Sequence, residues 1–133
     1  MPKNLMSRFA RDESGSATIE SLLWFMMFVY LLVLITDVSF IFYGKAQALR
    51  IVQDGNRALS IRMLQTEAQT EAFITAELKR YDPSPVVDTS LNSTTGIIET
   101  VATLDATELM MIGAFPNFGD FTFSIRAQHF QEQ

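Results

Sequence analysis

The pattern of apolar and polar positions is uneven along the chain. Residues 21–36, "SLLWFMMFVYLLVLIT", contain no charge. Asp37 interrupts, apolar character resumes, and Lys45 closes a stretch of 24 residues over positions 21–44. About 20 helical residues cross a hydrocarbon core of roughly 30 Å. A secretory h-region is shorter, about 7–15 residues. A fully buried core helix of this length needs more surrounding protein than a small chain supplies. The pattern therefore predicts a membrane-spanning helix over 16–44.

Beyond Lys45 the period becomes amphipathic. Ala48, Val52, Gly55, Leu59 and Met63 recur at three- and four-residue steps, the spacing of one helix face. The span is thus expected to run on as one long helix, half in lipid and half packed on a head over 45–133. Gly55 inside that stripe marks close packing or a soft point. Residues 66–81, "TEAQTEAFITAELKRY", predict a second helix with Phe73, Ile74, Leu78 and Tyr81 on its apolar side. Its acids at 67, 71 and 77 read as a solvated face.

Residues 82–96 read as a loop from their Pro, Ser, Asn and Gly. "IIETVATL" at 97–104 predicts a strand. "DATELMMIG" predicts a helix of about two turns, with Asp105 and Glu108 spaced as a capping box and Gly113 closing it. "AFPNFGD" reads as a turn. Residues 121–130 alternate, with Phe121, Phe123, Ile125 and Ala127 on one face, as in a half-buried strand. The expected fold class is α+β: a long N-terminal helix extending into a small head of one helix and two strands.

Composition narrows the chemistry. With 133 residues, one small domain is the prior. There is no Cys, which excludes a disulfide framework and a Cys-based zinc site. The net charge of −5 disfavours nucleic-acid binding. His129 is the one imidazole, with no nucleophile or carboxylate arrangement around it. No phosphate loop, paired-carboxylate site or metal-ligand spacing stands out. The expectation is a non-enzyme without a cofactor or metal. The triplet Asn92-Ser93-Thr94 matches a glycosylation acceptor, read as a chance match.

The charged residues at the ends of the span set its boundaries. Lys3, Arg8 and Arg11 precede it, and Lys45 and Arg50 follow. That bias favours a cytoplasmic N-terminus. Asp37 reads as an acid tolerated near the outer boundary, reaching the headgroups. Glu20 lies at the opposite rim, five positions after Gly15, behind a polar, partly basic leader over 1–15.

"GSATIE" at 15–20, behind that leader and ahead of the uncharged run, resembles a class III (type IV prepilin) signal. With "YGKAQALRIVQDGNRALS" after the span, residues 8–60 further resemble the TadE/TadF-like pseudopilins of the tight-adherence (Flp) pilus system. Two positions depart from that family's pattern: Met26 stands where Pro is frequent, and Ser21 where a bulky apolar residue is usual. The resemblance implies a pilin-like, lollipop-shaped fold in the bacterial inner membrane, with a periplasmic head. It implies cleavage after Gly15 by a prepilin peptidase, so that Ser16 becomes the N-terminus. It also implies as partners the major pilin, other pseudopilins and the pilus assembly platform, in a role in adhesion or secretion. A small residue at the cut site lets extended backbone enter a narrow cleft. Residues 16 and 20 share a helix face. Glu20 of one subunit is then placed to meet the α-ammonium of a neighbour's Ser16. Such charges are costly in an apolar bundle unless paired, so the pair sets register more than it adds stability.

Two alternatives stay open. The chain could be an uncleaved single-pass scaffold of another envelope complex. "AQA" at 46–48 also fits a signal-peptidase site, which would release a soluble binding protein starting at Leu49.

Overall fold

The computed structural model describes residues 14–113 and 121–131. The leader up to residue 13 and the turn expected at 114–120 lie outside the described residues. Helix α1, Ser14–Ser60, runs without interruption for 47 residues, a length of about 70 Å. Helix α2 covers Glu67–Leu78. Three strands follow: β1, Val86–Asn92, β2, Ile97–Asp105, and β3, Thr122–Phe130. They form one antiparallel sheet in the order β1-β2-β3. The fold is α+β, as expected, with one more strand than the sequence pattern suggested.

The long helix ends for local reasons. Arg62 adopts a left-handed conformation (φ 61°). The Met63 N–H donates to Ala58 O and the Arg62 N–H to Leu59 O, the paired bonds of a Schellman ending. Met63 therefore leaves the stripe and is 75% exposed. Thr66 then caps α2 by accepting the Gln69 N–H, while the Gln69 side chain accepts from Gln65 N–H.

The second half of α1 and α2 pack on one face of the sheet. Ala48 and Val52 of α1, Ile74 and Leu78 of α2, Ala102 and Leu104 of β2, and Ile125 and Ala127 of β3 form the core. β2 alternates buried and half-buried positions along its whole length. β3 buries Ile125 and Ala127 and half-buries Phe123, as its period of two requires. Gly55 is a point of close approach: a Cβ there would lie 2.5 Å from Ile74 Cγ1. Close packing is what that glycine serves.

β1 corrects the loop expected at 82–96. Val87, Thr89 and Leu91 face inward and their neighbours outward, but two prolines and a polar inward residue hide the alternation. The turn at 93–96 closes on Gly96, whose φ is +67°. Asn92 Oδ1 accepts the N–H groups of Thr94 and Thr95, so its side chain shapes this hairpin turn. The two-turn helix expected at 105–113 is also corrected. Only a 3₁₀ turn forms, Thr107–Leu109, after which the chain extends along α1. Tertiary contacts with α1, described next, override the local propensity.

Candidate assembly site on the long helix

The N-terminal part of α1 from Ala17 is long and apolar enough to cross a membrane. Its large side chains, among them Leu22, Phe25, Phe28 and Leu32, stand exposed. Three of its hydroxyls bond back within the helix. Ser21 donates to Ala17 O (2.8 Å), Thr36 to Leu32 O (2.8 Å) and Ser39 to Ile35 O (2.7 Å). Such back-bonding removes the need for water or a partner. The rings of Trp24 and Phe28 meet at 6.4 Å, tilted by 39°.

Glu20 differs from these residues. It is exposed and has no hydrogen-bond or ion-pair partner among the described residues. It heads a shallow groove of about 180 Å³ with Leu23, Trp24 and Met27. A broader apolar groove of about 490 Å³ lies on the opposite side of the helix, along Leu22, Phe25, Met26, Val29, Tyr30 and Val33. Gly15 and Ser16 belong to the first turn of the helix. Residues 16 and 20, one helical turn apart, fall on one face.

Asp37 is elsewhere, and its reading changes. It is 0% exposed, covered by the head instead of reaching toward headgroups. Its Oδ1 accepts the Ile112 N–H at 2.9 Å. One turn and more beyond, Gly44 lies under Leu109; a Cβ at Gly44 would sit 2.7 Å from Leu109 Cδ2. The head therefore begins at Asp37 and not after Gly44. Lys45 is exposed on α1, about 12 Å further along the axis than Asp37. Asp37 and Lys45 do not share a site with Glu20, because 17 helical residues separate Glu20 from Asp37, about 26 Å.

Three side chains that tie the head together, Asn56, Glu67 and Glu71, went unrecognised in the sequence. Asn56, buried on α1, donates through Nδ2 to Ala127 O (3.0 Å) and accepts from the Thr100 hydroxyl. Thr100 in turn meets Thr89 Oγ1 at 2.9 Å. One amide thereby links the long helix to all three strands. Glu67 and Glu71, expected on a solvated face, accept the outward N–H groups of Leu91 and Thr89 on the edge strand β1. They close an edge that would otherwise template pairing with another chain. Their spacing of four on α2 is the signal that points both toward one strand. Glu77 does face solvent, paired with Arg80 at 3.0 Å.

The electrostatic perturbation resolved in the head is at Asp105. The Thr107 hydroxyl, and then the Thr107 N–H, donate to Asp105 Oδ1 (2.6 and 2.8 Å) and hold its carboxyl below the usual value. Among the described residues no group of three or more His, Asp or Glu side chains is placed to hold a metal ion. No family model, curated protein or solved structure matches the chain.

Proposed function

We propose that the chain is a minor pilin or pseudopilin that serves assembly of a tight-adherence (Flp) type IV pilus. In this reading it is inserted once in the bacterial inner membrane, with its N-terminus in the cytoplasm and its head in the periplasm. A prepilin peptidase cuts after Gly15, and α1 then joins a bundle with the major pilin or other pseudopilins. The observation that carries the reading is Glu20: an exposed carboxylate, without a partner among the described residues, at the mouth of a helix whose Ser21, Thr36 and Ser39 hydroxyls bond back to their own carbonyls. A charge in that position is tolerable at a membrane rim and costly inside a bundle. A neighbour's new α-ammonium on Ser16 supplies the missing partner. The groove that Glu20 shares with Leu23, Trp24 and Met27 gives that neighbour's helix a surface to pack on.

Among the described residues no group of three or more His, Asp or Glu side chains supports a metal-dependent enzyme reading. The reading of a soluble product cut after Ala48 is disfavoured by packing. Ala48 belongs to the head's core, and that cut would also remove Gly44 and Asp37, on which residues 109–112 rest.

The test is Glu20→Ala expressed in place of the native chain in cells that build the pilus. Membrane insertion and leader removal are expected to persist, with filaments lost or sharply reduced. Unchanged filament number and length would contradict the docking role.

A further inference from the structure

We propose that residues 109–113 form a membrane-contacting foot, which rests the head on the outer interface of the bilayer. The proposal builds on the membrane-spanning part of the reading above and is independent of pilus assembly. Four observations meet at this loop. It carries no charge: Leu109, Met110, Met111, Ile112 and Gly113. Met111 and Ile112, side by side in this loop, are 70% and 58% exposed. The backbone is held against α1 by the Ile112 N–H bond to Asp37 and by the seating of Leu109 on Gly44. The loop's level along the helix axis is also defined. From Glu20 to Asp37 the helix rises about 26 Å, against a hydrocarbon core of roughly 30 Å. With Glu20 at the inner rim, Ile112 comes level with the outer edge of the acyl chains.

The neighbouring surface has the matching character. Phe40 and Tyr43, exposed on the next turns of α1, line a shallow hollow with Ser39, at the depth where aromatic side chains favour the interface. The occupant of this apolar surface is thus lipid of the outer leaflet, continuous with the lipid around residues 17–36. Asp37 gains a role from this arrangement. It is a buried acceptor that fixes the height of the foot on the helix, and so the height of the head above the membrane.

The chain contains no Cys, so a single introduced thiol reports without background. Ile112→Cys, Leu32→Cys and Thr94→Cys, each labelled with an environment-sensitive fluorophore, are compared in full-length protein in phosphatidylcholine/phosphatidylglycerol vesicles. Position 94 lies in the β1–β2 turn and position 32 in the span. The label at 112 is expected to shift to the blue and to be quenched by a shallow spin-labelled lipid more than by a deep one. The label at 32 is expected to respond to the deep quencher, and that at 94 to aqueous iodide alone. Asp37→Leu should move position 112 toward the behaviour of 94, whereas Asp37→Asn, which keeps the acceptor oxygen, should not. Iodide quenching at 112 equal to that at 94, with 32 still quenched by lipid, would overturn the foot and leave the span intact. Loss of lipid quenching at 32 would overturn both.

Discussion

Residues 17–36 and 37–60 belong to one uninterrupted helix, yet they meet different surroundings. In the first half, large apolar side chains point outward on all sides and hydroxyls bond back to their own carbonyls. In the second half, a single stripe is buried. It holds Ala48, Val52, Asn56 and Leu59, while Gln53, Asp54 and Arg57 face out. The backbone does not register the change; the side chains do. The first half has its large apolar side chains exposed among the described residues, and the second finds a partner in the sheet and α2. Asp37, the first fully buried position along α1 among the residues described from Ala17 on, is where one regime gives way to the other.

That contrast can be broken most forcefully in the core. Ile74→Ala removes a fully buried side chain that packs on Gly55 of α1. It is expected to lower the head's stability by about 2–5 kcal/mol, read by urea unfolding of the full chain in detergent micelles. Leu32→Ala, a comparable truncation in the other half, should leave that transition where it was. Equal effects from the two would mean that the halves share one packing regime. Asn56→Leu probes the polar contact between α1 and the sheet. It abandons Ala127 O and the Thr100 hydroxyl, and should cost about 1–3 kcal/mol in the same assay. No loss would show that the network is dispensable.

The smallest effect belongs to Asp105, at the sheet's end nearest the first half of the helix. Its folded-state pKa lies below the unfolded value. Its contribution is therefore complete above the unfolded value of about 3.9 and is lost as pH falls through the lower folded value. Asp105→Asn should remove that part of the acid sensitivity below about pH 4. Thermal unfolding of the two proteins at a series of acidic pH values measures it. Identical acid limbs would remove Asp105 from the account.

How far the sequence disclosed this architecture depends on which forces acted. The long helix, the stripe at 48, 52, 55 and 59, the β-branched run of β2 and the alternation of β3 were legible, because each is a local pattern tied to one buried face. β1 was hidden because its central inward residue is Thr89, whose burial depends on Thr100 and Asn56 far along the chain. The helix expected after Asp105 yields to contacts with Gly44 and Asp37, which are 65 or more residues away. Glu67 and Glu71 looked solvated because nothing local reveals that an open strand edge lies beside them. In the candidate site, Gly15, Ser16 and Glu20 were readable as a spacing. The packing of Asp37 beneath residue 112 was not, since it is purely tertiary.

The central claim is that Glu20 stands ready for a terminal amine created by cutting after Gly15. Mass spectrometry of the chain's N-terminus, recovered from the membranes of cells with an active prepilin peptidase, tests it most directly. The account predicts a chain beginning at Ser16, and an uncut chain when Gly15 is replaced by Arg. An N-terminus still carrying residues 1–15 in cells that are assembling pili would contradict it.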